Sequence, residues 1–279
     1  MQFRSLVLGL LCCAATASAQ TADELVAKNL QAKGGIEKIK SIKSLRMVGR
    51  MDQGGFKLDV GQEAKLPDLL RETFTFQGMM GIEAYDGQIG WRISPFEGRK
   101  DPEMMGDDDM RELIEDADFY GPLVDYQQKG NKVEYLGHDT VDGDDALRLK
   151  VSLKNGDIIY YLLDPDTFLE IRTERQTFIR GSIRESVQEL GSYKQVNGVY
   201  FPFSVDSGPK SNPNARARVT FDKIEANVDI PDSQFKMPAA PATPSAQKHE
   251  EPAAPAQNQN KPGAKTPAKP PATTKPPKN

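Results

Sequence analysis

The strongest constraint on this chain is a two-residue alternation of apolar and polar side chains that recurs segment after segment, with tight-turn pairs between. Leu147, Leu149, Val151 and Leu153 alternate with Arg148, Lys150 and Ser152, and Asn155-Gly156 follows. Successive side chains of a strand point to opposite faces, so this pattern makes a strand with one dry and one wet face. Asn-Gly tolerates the two positive φ angles of the commonest hairpin turn. The run 158–163 answers it, Asp164-Pro165-Asp166 turns the chain, and 169–178 runs back. A second pair, Asn197-Gly198, separates 192–196 from 199–205, and 219–224 is a further strand. Upstream, Phe56, Leu58 and Val60 alternate with Lys57 and Asp59. Leu70, Phe74 and Phe76 share one face of the next strand, interrupted by Glu72, with Arg71, Thr73 and Thr75 opposite. Asp86-Gly87 then joins 82–85 to 89–93. Many short strands joined by such turns predict a large antiparallel sheet or barrel.

Three stretches break this period. Thr21 is a good N-cap, with Asp23 and Glu24 in the first turn where the helix dipole favours negative charge. Leu25, Val26 and Leu30 lie on one face of that helix, and Gly34-Gly35 stops it. Ile36, Ile39 and Ile42 repeat at helical spacing over 36–42. Pro95, Gly98 and Pro102 open an interruption of the strands that lasts to about residue 130. Within it Asp107, Asp108 and Asp109 precede Met110, Leu113, Ile114 and Ala117, a third helix, and Phe119, Tyr120, Leu123, Val124 and Tyr126 continue its apolar cluster around Pro122. Amphipathic helices must bury their apolar faces, and the open concave side of a curved sheet is where they can. The expected fold is therefore mainly β (α+β).

Neither end of the chain reads as part of that core. Arg4, an apolar run over 6–15 and the small residues Ala17-Ser18-Ala19 form an export signal spanning 1–19, with cleavage before Gln20. The apolar run is shorter than the roughly 20 residues that span a bilayer, which argues against a membrane anchor. Cys12 and Cys13 raise a lipoprotein signal, but Leu11 precedes Cys12 where a small residue is needed. Cleavage removes both cysteines, so the mature chain has no thiol for a disulfide, a metal or a nucleophile. From 239 to 279 the sequence is Pro, Ala, Lys, Thr, Gln and Asn, which cannot bury enough surface to offset its conformational entropy; this segment is expected to be a disordered tail. Its six lysines against Glu250 and Glu251 make it basic and leave the folded part, 20–238, acidic. An acidic core argues against nucleic acid as a partner. The tail is expected to be a solvated tether, with anionic headgroups or peptidoglycan as the alternative contact.

Catalytic constellations are scarce. The two histidines, His138 in the turn-like run 136–139 and His249 in the tail, cannot make a His-based zinc site. No Gly-x-Ser-x-Gly elbow and no phosphate-cradling glycine loop occurs. Asp107–Asp109, Asp142-Gly143-Asp144-Asp145 and Asp164-Pro165-Asp166 lack calcium-loop spacing and sit where turns and helix starts favour Asp. The expectation is a protein that is not an enzyme and uses neither cofactor nor metal. An envelope hydrolase using Asp or Glu is the catalytic alternative.

What remains is a set of strand-borne apolar and aromatic residues, and their motifs resemble a known family. Lys65-Leu66-Pro67-Asp68-Leu69-Leu70-Arg71, then Tyr85-Asp86-Gly87 leading to Trp91, then Ser94-Pro95-Phe96, resemble the LolA/LolB-like periplasmic lipoprotein carriers in order and spacing. Lys154-Asn155-Gly156-Asp157, Asn197-Gly198-Val199-Tyr200-Phe201-Pro202 and the closing Phe235-Lys236-Met237-Pro238 are similar to that family too, so the resemblance covers about 22–238. It implies a half-open barrel with short helices over an apolar cavity, in the periplasm, holding acyl chains of lipids or lipoproteins and working with an envelope membrane protein. Related folds serve as envelope regulatory modules without lipid transport, the alternative reading. Strand parity together with the resemblance points to Leu70, Phe74, Phe76, Trp91, Ile93, Val151, Phe201 and Phe203 as cavity lining, though alternation alone leaves open which face is inward. The chain is longer than the carriers through 101–132, carries the Pro-rich tail, and places Glu72 where the carriers are mostly apolar.

Overall fold

The computed structural model describes residues 21–239; the expected leader and the tail from 240 onward lie outside the described residues. The described residues hold three α-helices: α1 (Ala22–Ala32), α2 (Ile36–Ser41) and α3 (Asp107–Ala117). A first meander holds β1 (Ser44–Gln53), β2 (Phe56–Lys65), β3 (Leu69–Phe76), β4 (Met79–Tyr85), β5 (Gly90–Ser94) and β6 (Arg99–Met104). A second holds β7 (Lys132–Val141), β8 (Asp144–Ser152), β9 (Ile158–Leu163), β10 (Glu170–Ile179) and β11 (Ser182–Gly191). A separate small ribbon, β12 (Lys194–Val196) with β13 (Val199–Phe201), precedes β14 (Ser204–Pro209) and β15 (Ala217–Ala226).

Among the described residues thirteen strands form one sheet in the order β6-β5-β4-β3-β2-β1-β15-β14-β11-β10-β9-β8-β7, with β6 and β7 at its edges. β15 and β14 lie between the two meanders, and the first meander meets them where β1 pairs with β15, with Leu45 opposite Ala226 and Met51 opposite Val219. The tight-turn pairs fall where expected, at Asp86-Gly87 between β4 and β5, Asn155-Gly156 between β8 and β9, and Asn197-Gly198 in the ribbon. Four strands without a clean alternating signal, β1, β6, β7 and β11, complete the sheet. His138 lies in strand β7, opposite Leu147, beside a register shift at Gly137; it is not in a turn.

The registers assign the two faces. Leu45 and Met47 of β1 stand opposite Ile224 and Ala226 of β15 on one side and Ala64 and Gln62 of β2 on the other. Continuing outward, the same face carries Leu70, Glu72 and Phe74 in one direction, and Val205, Leu190, Thr173 and Tyr161 in the other. The helices cover this face. α1 starts with a capping box, in which the Thr21 hydroxyl accepts from Glu24 N and the Glu24 carboxylate from Thr21 N. It buries Leu25 and Val26, with Leu123, against Leu147, Leu149, Val151, Ile159 and Leu163. Its Asn29, fully buried, donates to Phe168 O at 2.8 Å. α2 sets Ile39 and Ile42 on Leu45, Val199, Phe203 and Ile224. α3 sets Leu113 and Ala117 on Ala64, Leu70 and Tyr85. Three apolar clusters thus lie under the helices, one under each, and a smaller fourth, Val141, Ala146 and Leu162, lies on the opposite face. Among the described residues no helix is long and apolar enough to cross a membrane.

A cleft with one apolar wall and one acidic end

Between these clusters the concave face is not filled. A partly open cavity of about 630 Å³ lies there, lined from β1, β2, β3, β9, β10, β11, β14 and β15 as well as from α2, α3 and the segment after α3. Glu72 of β3 and Arg175 of β10 both line it. Those strands are six steps apart in the sheet, about 29 Å if the sheet were flat. Only strong curvature lets both reach one space. The volume is in the range of sites that hold small molecules, roughly 300–1,000 Å³.

One wall is apolar. Leu45, Met47, Val219, Phe221 and Ile224 supply the sheet side, and Ile39, Ile42, Phe119, Val199 and Phe201 close over it. The other end is charged, unlike the uniformly apolar lining expected from the sequence. α3 brings Glu112, Glu115 and Asp116 to it, the sheet brings Glu72, Gln62 and Arg175, and Lys33, Glu170 and Tyr193 sit at its margin. Arg175 reaches both Glu115 and Asp116 at 3.3 Å. Gln62 Nε2 donates to Glu72 Oε1 at 3.1 Å. Lys33 is committed to Glu170 at 3.0 Å, and Tyr193 donates its hydroxyl to Glu170 O at 2.7 Å.

These carboxyl groups are short of water. Burial, with Asp116 and Glu83 adding like charge, pushes Glu72 up to about 8. Burial pushes Glu115 up to about 7 against the pull of Arg175, and Asp116 is raised for the same reason. Asp116 keeps 44% of its side-chain surface. Asp116 lines the partly open cleft, so its burial is incomplete while the direction of its shift stays upward.

α3 crosses this space as a bar tied at several points. Arg92 of β5 approaches Asp109 at 3.4 Å, while Arg180 beyond β10 holds Asp108 at 3.1 Å. Arg111 reaches the fully buried Asp157 at 3.1 Å, and Asp157 also accepts from Phe178 N at 3.2 Å. The acidic first turn that marked this helix in the sequence therefore serves as its tether to arginines of the sheet.

Of the eight residues expected to line a cavity, Phe201 does so. Leu70 is fully buried beneath α3, Val151 beneath α1 and Phe203 beneath α2, each inside a packed cluster beside the cleft. Phe74 and Phe76 share the inward parity but lie towards the strand end, where Phe76 meets Phe56 edge-on with ring centroids 6.4 Å apart. Trp91 and Ile93 point to the opposite face, since Trp91 pairs with Ala84 and Ile93 with Ile82. There Trp91 is buried, its Nε1 donating to Phe235 O at 2.7 Å. Sequence reasoning passed over the acidic group on α3. The one available signal was Glu72 itself, a charge on an otherwise apolar strand face. His138 is exposed and paired with Asp145 at 2.9 Å, away from the cleft.

An open, curved antiparallel sheet with helices across its concave face is the LolA-like fold. A LolA superfamily protein from Nitrosomonas europaea superposes with a TM-score of 0.53 at 11% identity, covering 78% of this chain and 98% of that one. A DUF1329 family protein from Desulfovibrio piger gives 0.52 at 13% identity, covering 77% and 97%. At such identities the likeness establishes the fold. No family model matches the sequence, and no curated protein matches it.

Proposed function

We propose that this protein is a periplasmic binder and carrier of acyl chains, seating the hydrocarbon of a lipid or lipoprotein in the cleft. The supporting observation is the unfilled space between three packed clusters, walled on one side by Leu45, Met47, Phe221 and Ile224. The LolA-like fold supports the same reading. Burying alkyl surface there is favourable by about 0.8 kcal/mol per methylene. The work is binding and release, with no bond made or broken. α3 is the element that must shift for a chain to enter, because it reaches both flanks of the sheet and is held by exchangeable ion pairs. The leader, removed before Gln20, would deliver the protein to the periplasm, and the basic tail would act as a tether.

A series of n-alkanols of increasing length, titrated by calorimetry, tests this. Affinity should rise about fourfold per methylene until the cleft is full, then level off. Absence of binding at every length, or affinity indifferent to length, would remove the carrier reading.

A further inference from the structure

We propose that the acidic end of the cleft recognises a cationic, amine-bearing head group, with Glu72 as its pairing residue, so that the ligand is an amphiphilic amine. This rests on the reading of the cleft as an amphiphile site and specifies which amphiphile it favours.

Charge bookkeeping around the cleft carries the inference. Glu72, Glu112, Glu115, Asp116, Asp118 and Glu170 line it, against Lys33 and Arg175. Lys33 is used by Glu170, and Asp118 is paired from outside the lining by Lys129. Arg175 is shared between Glu115 and Asp116. Glu72 receives one hydrogen bond, from the neutral Gln62, and forms no ion pair among the described residues. Glu115 Oε2 is shut off from solvent and accepts no hydrogen bond, although Arg175 lies 3.3 Å away. The site is therefore short of positive charge in surroundings where an unpaired carboxylate is costly.

Burial favours the protonated carboxyl groups, pushing Glu72 up to about 8 and Glu115 up to about 7, so bound protons offset part of this shortage. A ligand ammonium would displace them. It offers three donors to the oxygens of Glu72 and its neighbours, while its alkyl chain lies along the wall formed by Met47, Phe221 and Ile224. A phosphate or carboxylate head would meet like charge from Glu72, Glu112, Glu115 and Asp116. A bare metal ion fits less well, because no three carboxyl groups among the described residues converge as ligands.

The test compares dodecylamine, dodecanol and dodecanoate, below their micelle concentrations, by calorimetry on the purified protein at pH 8.5. The amine should bind at least about tenfold tighter than the alcohol, with the carboxylate weakest. Glu72→Gln should bring the amine-to-alcohol ratio close to one. In the unmodified protein the amine, unlike the alcohol, should bind more tightly as pH rises from 6 to 8 and release protons on binding, because Glu72 must ionise to pair with it, with Asp116, Glu83, Glu112, Glu115 and Arg175 the charged groups around it. Equal binding of all three, or an amine preference untouched by Glu72→Gln and by pH, overturns this inference and leaves the carrier reading standing. Failure of all three to bind overturns both.

Discussion

Glu72 gives the most direct handle on the cleft, through stability rather than through ligand. Its carboxyl group sits at an ordinary 4.5 in the unfolded chain and is pushed up to about 8 when folded. The folded state therefore holds this proton more tightly than the unfolded state. Below pH 4.5 both states are protonated and the site costs nothing. As pH rises, folding stability falls by about 1.4 kcal/mol per pH unit, and the loss stops once pH passes the folded value. The ceiling at pH 7 is about 3 kcal/mol, and water entering the cleft with local relaxation reduces it to about 1–2 kcal/mol. Glu72→Gln keeps the shape and can still accept from Gln62 Nε2, but it carries no charge to desolvate. Urea unfolding of both proteins from pH 4.5 to 8.5 should show equal stability at the acid end. The variant should gain steadily to about 1–3 kcal/mol by pH 8. Glu115 and Asp116 titrate in both proteins and cancel to first order. A difference that stays constant across this range, or a variant less stable at pH 8, would show that Glu72 is not a desolvated carboxyl group and would refute the account of the acidic end.

Other outcomes follow from the packing. Trp91→Phe removes the donor to the buried Phe235 carbonyl and should lower stability by about 1–3 kcal/mol, read by circular dichroism in urea because the chain's single tryptophan is lost. Gly34→Ala should abolish folding or lower the melting temperature severely: φ is +125°, and a Cβ there would lie 2.2 Å from Gly198 O. Asn29→Ala leaves the Phe168 carbonyl without its donor and should cost about 1–3 kcal/mol, again by urea midpoint. Intact-mass measurement of the exported protein should give a chain beginning at Gln20; retention of residues 1–19 would remove the periplasmic assignment.

The architecture was legible where chain-local chemistry decides it. Asn155-Gly156, Asn197-Gly198 and Asp86-Gly87 each turned the chain, and Thr21 with Glu24 started α1. The strands that escaped notice are those whose side chains mix character. β11, Ser-Ile-Arg-Glu-Ser-Val-Gln-Glu-Leu-Gly, pairs on both sides yet buries only Val187 fully, because its inward neighbours face a cleft instead of a core. β7 is an edge strand with alternating half-buried and exposed residues and a bulge at Gly137. The site was less legible, for a physical reason. Alternation tells which residues share a face, and it sorted Leu70 with Phe74 and Phe201 with Phe203, but burial inside a cluster and exposure to a cavity look alike in sequence. The large side chains Leu70, Val151 and Phe203 pack solidly, and the hollow lies where Glu72, Thr173, Ser186 and Ser207 leave the face polar or small. Trp91, on the far side of the sheet, was drawn into the expected lining by the family motif, whereas its register with Ala84 and its bond to Phe235 make it an anchor for the end of the domain.

The single seam between β1 and β15 has a consequence for how the protein comes into being. A chain emerging amino end first delivers β1 early and β15 some 170 residues later. Until then each meander can zip up by local hairpins, but they remain two half-sheets, with the flanks of β1 and β14 unpaired and able to template strand pairing with other chains. The hollow, whose wall includes Val219, Phe221 and Ile224 of β15, does not exist before that strand arrives. Completion of the sheet and creation of the hollow are thus one event, made by the last strand of the fold.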